Sequence, residues 1–233
     1  MVKINQLSVF FPTYNEEGNI ANTVLAAKEV LEKVADKWEI IIVNDGSTDG
    51  TQEIAEGLRK EDERIRVENH KKNRGYGGAL QTGFYAAKYD WIVYNDADGQ
   101  FDFGETTKFI EKKDEADVFI GYRIKRKDAI TRVAFAKGWA LALFVFFGLK
   151  LKDVDCGFKM IKREVIEKIP KLESERGAMI NAELAIKAKK YGFKIKQIGV
   201  HHYPRKAGRP TGASIRVIIK SFVDLLRLWK KLS

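Results

Sequence analysis

The sequence predicts an α/β protein whose mostly parallel sheet carries helices on both faces. First, short apolar segments that are typical of buried strands alternate with longer segments of helical periodicity. Second, the strand segments end abruptly in polar loops rich in Gly, Asp, Asn and Ser, which are turn-forming and helix-capping residues. Third, 45% of the residues are hydrophobic, which is enough for a full core and excludes a disordered chain.

The order of the elements follows from the same patterns. The predicted strands share an apolar run with a polar end, and they lie at residues 7–11, 38–43, 65–67, 91–94, 116–121 and 195–200. The predicted helices follow polar or glycine-rich loops, and they lie at residues 19–35, after residue 50, after residue 78 and at 178–190. The tail alternates apolar and basic residues at helical spacing. We therefore expect a catalytic-size domain at residues 1–212 and an amphipathic helix at 213–233.

The most informative stretch, residues 91–103, reads WIVYNDADGQFDF. An apolar strand is followed at once by Asp96, Asp98 and Gln100. In an open parallel sheet, ligands bind just past the carboxyl ends of the strands. Two carboxylates separated by one small residue can reach the same hard cation, and a Gln oxygen can join them, as Mg²⁺ or Mn²⁺ prefers. The alternative is a solvated acidic loop, because Asp-x-Asp is a common pattern.

Charge and composition limit the class of protein further. The formal net charge of +10 favours an anionic partner, which could be nucleic acid, a phosphorylated ligand or an anionic membrane surface. The single cysteine, Cys156, excludes an internal disulfide and fits a reducing compartment. The N-terminal apolar run is too short for a signal peptide, and no segment approaches the ~20 apolar residues of a membrane span.

Several segments form a set that is far more specific than any one of its members. They are FPTYNEEGNI, VNDGSTDGT, NRGYGGALQTGF and NDADGQ. In this order and spacing they resemble the inverting glycosyltransferases of family 2, which have the Rossmann-like GT-A fold. The later segments GYR, DCGFKMIKR and HHYPRKAGRPTG resemble the polyprenyl-phosphate glycosyltransferases of the dolichol-phosphate-mannose synthase group. The resemblance covers about residues 6–230.

The resemblance implies a reaction and a donor site. The reaction moves a sugar from GDP-mannose or a UDP-sugar to dolichyl or undecaprenyl phosphate, with inversion. The implied cofactor is Mg²⁺ or Mn²⁺, held by Asp96, Asp98 and Gln100. Together with the glycine-rich loop, the nucleotide-sugar-binding residues would be Pro12, Tyr14, Glu16, Asp45, Arg74, Gly75, Asp96 and Asp98. That loop has two interpretations, a tight turn with close helix packing or a helix start that attracts an anion.

The resemblance also implies an acceptor side. Arg123, Arg132 and Lys137 match residues that bind the acceptor phosphate, which suits the bidentate geometry of arginine. Arg205 matches an arginine in a loop over the diphosphate. Asp155 is an acid near the acceptor, and Glu183 is a similar candidate. The implied catalytic residues are Asp98, Asp155 and Arg205.

The remaining questions concern location and rival functions. Residues 139–147 could form a buried core helix or, with the tail, a surface that binds the cytoplasmic face of a membrane peripherally. One alternative function keeps the donor site but transfers the sugar to a polysaccharide or protein hydroxyl. Another, motivated by the basic charge, is nucleic-acid binding, but no recognised motif supports it, so we expect no nucleic-acid partner. The sequence leaves the oligomeric state open.

Overall fold

The computed structural model describes residues 2–124, 130–175, 177, 179–205 and 215–232, without the side chains of 130–137, 215–222 and 232. Its strands are β1 (Ile4–Thr13), β2 (Ala35–Asn44), β3 (Ile65–Asn69), β4 (Trp91–Asn95), β5 (Val118–Ile124), β6 (Phe158–Lys162) and β7 (Ile195–His201). Within the described residues they form one seven-stranded sheet with the order β3-β2-β1-β4-β6-β5-β7. Strand β6 is antiparallel to β4 and β5, and the other pairs are parallel. This confirms the predicted fold class.

Helices cover both faces of the sheet. They are α1 (Ile20–Val34), α2 (Thr51–Glu61), α3 (Tyr76–Ala86), α4 (Thr106–Ile110), α5 (Ile130–Phe147), α6 (Arg163–Lys168), α7 (Met179–Lys190) and α8 (Ile215–Leu232). Helix α1 shows why these segments are helical, because its buried residues, such as Val24 and Leu31, recur at helical spacing along one face. Helix α1 ends at Val34 and β2 begins at the next residue, three residues earlier than predicted.

The sheet separates two hydrophobic cores. Side chains alternate across it, so Val9 and Phe11 of β1 lie in the first core and Phe10 lies in the second. The first core packs against α1 and α2, and the second packs against α3, α5, α7 and α8. Cys156 is a free, buried cysteine in the first core. Because both faces are covered, the strands are continuous apolar runs.

The strand register brings the polar loops to one edge of the sheet. Strand β1 pairs in parallel with β2 from Ile4 to Thr13, where Thr13 lies opposite Asn44. On its other side β1 pairs in parallel with β4, and Phe10 lies opposite Tyr94. The carboxyl ends of β1, β2 and β4 are therefore neighbours. Strand β1 is longer than the predicted 7–11 because its partners satisfy the extra backbone groups.

Helix α5 combines the two interpretations of its apolar sequence. Trp139 and Leu143 are buried in the second core. Leu141, Phe144 and Val145 are 62%, 53% and 66% exposed. The helix is thus a core element on one face and an apolar surface on the other.

Helix α8 has the same division. Leu225 and Leu228 are buried in the second core, whereas Val223, Leu226 and Trp229 are exposed. The ring of Trp229 lies 5.5 Å from that of Phe146, so α5 and α8 are in contact. We call the exposed residues of the two helices the apolar strips; they are Leu141, Phe144, Val145, Val223, Leu226 and Trp229.

Close packing explains the glycines of α3. A Cβ at Gly77 would lie 2.1 Å from the carbonyl oxygen of Ser174, and a Cβ at Gly83 would lie 2.2 Å from Cδ2 of Phe10. Larger side chains would therefore push α3 away from β1 and from the loop before α7. This confirms the interpretation of the glycine-rich stretch as a site of close helix packing.

We expect Gly83→Ala to lower the free energy of unfolding by about 1–3 kcal/mol, the usual cost of overpacking a core. The matched control is Gly57→Ala in α2, where no atom lies within 4 Å of the added Cβ. That change should raise the free energy of unfolding by about 0.5–1 kcal/mol through helix propensity. Urea unfolding of the three proteins tests both values, and equal stability of the two variants would contradict the packing argument.

Candidate active site

The loops after β1 and β2 brace one another. The backbone N–H of Asn15 donates to Oγ of Ser47 at 3.0 Å, and the N–H of Thr48 donates back to Oδ1 of Asn15 at 2.8 Å. The N–H of Glu16 donates to Oγ1 of Thr51 at 2.8 Å. Asn15 has φ = 55°, a left-handed conformation that Asn tolerates better than most residues. These contacts form one wall at the carboxyl end of the sheet.

Asp45 anchors the loop that leads into α3. Its carboxylate accepts hydrogen bonds from the backbone N–H groups of Arg74 and Gly75, each at 2.8 Å. Nδ1 of His70 lies 2.6 Å from the same carboxylate, and Nε2 of His70 lies 2.8 Å from Oγ1 of Thr82. The predicted nucleoside contact at Asp45 therefore coincides with a buried loop anchor. Sequence reasoning identified Asp45, Arg74 and Gly75 but not this connection between them.

Asp96 is fitted tightly against its neighbours at the end of β4. The hydroxyl of Tyr76 donates to Oδ1 of Asp96 at 2.9 Å, and the N–H of Asp96 donates to the carbonyl of Gly157 at 3.0 Å. A Cβ at residue 157 would lie 1.9 Å from Oδ2 of Asp96, so only glycine leaves room for this carboxylate. Burial and the nearby charge of Asp98 raise the pKa of Asp96 to about 7. Neither Tyr76 nor Gly157 was identified from the sequence.

A buried lysine lies behind this end of the sheet. Nζ of Lys159 donates to the hydroxyl of Tyr94 at 2.7 Å, to the carbonyl of Cys156 at 2.5 Å and to Oδ1 of Asn181 at 3.0 Å. Burial lowers the pKa of Lys159 to about 8, although the charges of Asp155 and Asp96 oppose this change. A lysine in the pattern FKMIK gave no sequence signal, because such a residue is usually exposed.

Three predicted residues meet at one ion-pair cluster. Arg205 donates from Nη1 to Oε1 of Glu16 at 2.9 Å and from Nη2 to Oδ2 of Asp98 at 3.1 Å. The second oxygen of Glu16 accepts from Nδ2 of Asn19 at 2.7 Å. Burial raises the pKa of Glu16 above its ordinary value, and the charge of Arg205 opposes that rise. The structure thus joins the loop after β1, the Asp-x-Asp loop and the segment after β7.

Gln100 joins the same two segments. Its backbone N–H donates to Oδ1 of Asp98 at 3.1 Å. Its side-chain Nε2 donates to the carbonyl of Tyr203 at 2.9 Å, and the N–H of Tyr203 donates to the carbonyl of Gln100 at 2.8 Å. The predicted cation ligand therefore makes a specific contact that its sequence pattern did not indicate.

On the acceptor side, Arg123 forms a bidentate ion pair with Asp153, with N–O distances of 2.7 and 2.9 Å. Asp155 follows in the loop that leads to Gly157 and β6. Arg132 and Lys137 belong to α5, but their side chains lie outside the described residues. Arg123 and Asp155 are thus on the same side of Asp96, through the loop before β6.

Glu183 has a local structural task. Its carboxylate accepts from the backbone N–H groups of Glu173 at 2.9 Å and Ser174 at 2.8 Å, and it pairs with Lys187 at 2.5 Å. The side chains of Glu183 and Lys187 are both buried. This candidate acid therefore fastens the loop that packs against α3.

The donor atoms at the end of β4 fit a hard divalent cation. Asp96, Asp98 and Gln100 offer carboxylate and amide oxygens, the type that Mg²⁺ and Mn²⁺ prefer. Among the described residues, no group of three or more His, Cys, Asp or Glu side chains is arranged to hold a metal. The protein would thus supply few ligands, and phosphate oxygens of a bound nucleotide would supply others, as is usual for Mg²⁺.

Comparison with known proteins identifies the family. A family model described as Glycosyl transferase family 2 matches residues 8–170. The chain belongs to this family. The matched range contains the loops after β1, β2 and β4 and extends past β6, so it includes most of the site described above. The resemblance found in the sequence is confirmed.

Curated relatives in this family act on lipid phosphates, by their names. Glycosyltransferase AglD of Haloferax volcanii is 31% identical over 98% of this chain and 38% of its own length. Dolichyl-phosphate beta-glucosyltransferase of Saccharomyces cerevisiae is 33% identical over 83% of this chain and 66% of its own. Undecaprenyl-phosphate 4-deoxy-4-formamido-L-arabinose transferase of Salmonella choleraesuis is 27% identical over 92% of this chain. The chain spans 38% and 66% of the first two relatives.

Solved structures of glycosyltransferases share the fold. Glucosyl-3-phosphoglycerate synthase of Mycobacterium tuberculosis, in complex with Mn²⁺, uridine diphosphate and glucosyl-3-phosphoglycerate, superposes with a TM-score of 0.71. The match covers 95% of this chain and 80% of that one, at 19% identity. The same enzyme with Mn²⁺ and uridine-diphosphate-glucose gives a TM-score of 0.72 at 20% identity. These matches confirm the predicted GT-A fold.

The free energy of unfolding of the natural protein should rise relative to that of Lys159→Met between about pH 8 and 10.5. Burial lowers the pKa of Lys159 from 10.5 to about 8, so in this window the unfolded chain keeps a proton that the folded protein has lost. Stability rises with pH wherever the unfolded state binds more protons. Below pH 8 both states are charged, and the difference should be constant.

Urea unfolding of both proteins at half-unit intervals of pH measures this difference. Using the difference between the two proteins removes the contribution of groups that they share. A constant difference across the whole range would contradict a lowered pKa at Lys159.

Proposed function

We propose that this protein transfers a sugar from a nucleotide-sugar to a polyprenyl phosphate, with inversion at the anomeric carbon. The observation that carries the proposal is the cluster of Glu16, Asp98 and Arg205, which combines the Asp-x-Asp loop with an arginine at the carboxyl edge of the sheet. Such a cluster suits a diphosphate and its cation. Residues 1–212 would form the catalytic domain, and residues 213–233 would carry the helix that adjoins the membrane.

The donor would lie across the loops after β1, β2 and β4. Pro12, Tyr14 and Glu16 would line the nucleoside side, and Asp45 would hold the loop that presents Arg74 and Gly75. Asp96 and Asp98 would hold the divalent cation. When bound, Mg²⁺ or Mn²⁺ supplies positive charge that offsets the negative charge of the leaving diphosphate.

The acceptor phosphate would attack from the face opposite the diphosphate. One of its oxygens forms the new bond to the anomeric carbon while the bond to the nucleoside diphosphate breaks, so the configuration inverts. A phosphate is already ionised at neutral pH, so the reaction needs no strong general base. Asp155 would then orient the acceptor and would not need to remove a proton.

Arginines would handle the two phosphate groups. Arg205 would contact the diphosphate of the donor, since its guanidinium already lies against Asp98. Arg123, with Arg132 and Lys137, would contact the acceptor phosphate, and the bidentate pair with Asp153 would fix the orientation of Arg123. Planar guanidinium groups are suited to such contacts because they present two parallel donors.

A glucosyl donor and a lipid phosphate are favoured by the names of the relatives. The yeast relative is a dolichyl-phosphate beta-glucosyltransferase at 33% identity, and the Salmonella relative uses undecaprenyl phosphate. We therefore propose a UDP-sugar, with glucose as the first candidate, in preference to GDP-mannose. The net charge of +10 suits both an anionic acceptor and an anionic membrane surface.

The apolar strips would dock the enzyme on the cytoplasmic face of a membrane. No helix in the described part of the chain is both long and apolar enough to cross a bilayer. The strips on α5 and α8 expose large hydrophobic side chains next to basic residues, a combination that suits an interfacial helix. A membrane-bound acceptor would then reach the site without leaving the bilayer.

A panel of donors and acceptors tests the proposed reaction. UDP-glucose and GDP-mannose are each offered with dolichyl phosphate, undecaprenyl phosphate and an oligosaccharide, in the presence of Mn²⁺. We expect glucose transfer from UDP-glucose to the lipid phosphates. Transfer to the oligosaccharide alone would overturn the proposed acceptor and favour the hydroxyl-acceptor alternative.

Asp98→Asn should reduce transfer by about 100-fold or more while the fold is kept, because it removes a negative charge from the cation at constant size. Addition of EDTA should reduce the natural enzyme to a similar level. The control is Asp114→Asn, at an exposed carboxylate outside the site. Transfer that persists in EDTA would contradict the metal requirement.

Leu141→Gln combined with Val145→Gln should reduce binding to anionic vesicles, because it removes apolar area from an exposed strip. Point substitutions are preferable to deletion of residues 214–233, since deletion would also remove Leu225 and Leu228 from the second core. Binding of the natural protein should weaken at high salt through screening.

Vesicle sedimentation at low and high salt measures the effect. Leu25→Gln, at an exposed leucine of α1, is the matched control and should sediment like the natural protein. If the double variant also sediments like the natural protein, the strips are not the docking surface.

A further inference from the structure

Arg205 reaches the site from the far side of the sheet. Strand β7 is an edge strand, and β5 and β6 separate it from β4. With neighbouring strands about 4.8 Å apart, the axes of β7 and β4 lie roughly 14 Å apart. The four residues from His201 to Arg205, fully extended, also span at most about 14 Å. The segment after β7 therefore needs to be held in an extended path towards the Asp-x-Asp loop.

Three contacts in succession hold this segment. His201 donates its backbone N–H to Oε2 of Glu105 at 2.7 Å, and its Nδ1 lies 2.7 Å from Oε1. The ring of His202 lies 5.1 Å from that of Phe101 in an edge-to-face arrangement. The third contact is the pair of hydrogen bonds between Gln100 and Tyr203, which we call the clasp.

The clasp is the contact nearest to Arg205. One of its bonds joins the two main chains, and the other uses the side chain of Gln100 in place of a backbone donor. Tyr203 presents a carbonyl oxygen there, so only the amide nitrogen of Gln100 can face it. A glutamate at this position would present only acceptors and would repel the carbonyl.

We propose that Gln100 is a positioning residue for Arg205, fastening the segment after β7 so that the guanidinium meets Glu16 and Asp98 together. The sequence pattern implied a cation ligand at this position. The inference rests on the proposed function, in which Arg205 serves the donor diphosphate. It makes Asp98 a carboxylate shared by two cations, since Oδ2 of Asp98 accepts from Arg205 while Oδ1 accepts from the backbone of Gln100.

A double-mutant cycle on the full chain tests whether Gln100 acts through Arg205. Calorimetry measures the affinity for UDP with saturating Mn²⁺ in the natural protein, Gln100→Leu, Arg205→Ala and the double variant. Each single change should weaken binding by about tenfold, as expected for a lost charge-assisted hydrogen bond. The double variant should be no weaker than Arg205→Ala within about twofold, because residues that act as one unit are not additive. Additive losses would overturn the proposal.

Binding of Mn²⁺ without nucleotide separates positioning from ligation. Gln100→Leu should bind Mn²⁺, followed by electron paramagnetic resonance, at least as tightly as the natural protein, because the clasp no longer holds a guanidinium against Asp98. Asp98→Asn should bind it more weakly. A loss in Gln100→Leu as large as that in Asp98→Asn would make Gln100 a ligand and overturn the proposal.

Gln100→Glu provides the opposite test. It adds a carboxylate that a cation would accept, but it breaks the clasp, so UDP affinity should fall as in Gln100→Leu. Affinity equal to that of the natural protein would overturn the positioning role. The matched control is Gln52→Leu, at an exposed position of α2, which should leave both affinities unchanged.

The outcomes also distinguish this inference from the proposed function. A natural protein that binds neither UDP nor GDP with Mn²⁺ overturns the proposed function, and with it the inference. A natural protein that binds one of them, but whose Gln100 and Arg205 losses are additive, overturns the inference alone. Thermal unfolding of each variant confirms that the losses occur in folded protein.

Discussion

The parallel pairing of β1 with β2 on one side and with β4 on the other is the constraint on which the site depends. It aligns three carboxyl ends, so Glu16, Asp45 and Asp96 emerge at one edge of the sheet. The covering helices make this arrangement stable, because each strand is buried on both faces. Antiparallel β6 then brings Gly157 against Asp96, which adds a wall that a purely parallel sheet would lack.

Much of the fold could be predicted because its signals are local. An apolar run that ends in a polar loop identifies a strand end without knowledge of the rest of the chain, and Asp45, Asp96 and Asp98 were found in this way. Strand β6 was harder, since it is five residues long and carries Lys159 at its second position. Its burial follows from hydrogen bonds to Tyr94 and Asn181, and neither partner is near it in sequence.

The contacts missed by sequence reasoning are those between distant segments. Arg205 and Glu16 are 189 residues apart, and no pattern in either segment states that they form an ion pair. Tyr76 was read as part of a glycine-rich turn, and its hydroxyl became meaningful only when α3 was placed beside Asp96. A sequence motif can therefore name the charged residues of such a site, but the packing of the helices decides which partner each one has.

The burial of the single cysteine has a practical consequence for spectroscopy. Burial raises the pKa of the Cys156 thiol to about 12, so at neutral pH it stays protonated and shielded from alkylating reagents. A cysteine introduced on the surface would be the one reactive thiol of the chain, since the natural sequence has no other. Fluorophores or spin labels could then be attached to α5 or α8 one at a time, without first removing the native cysteine, to measure how deeply each helix lies in a lipid headgroup layer.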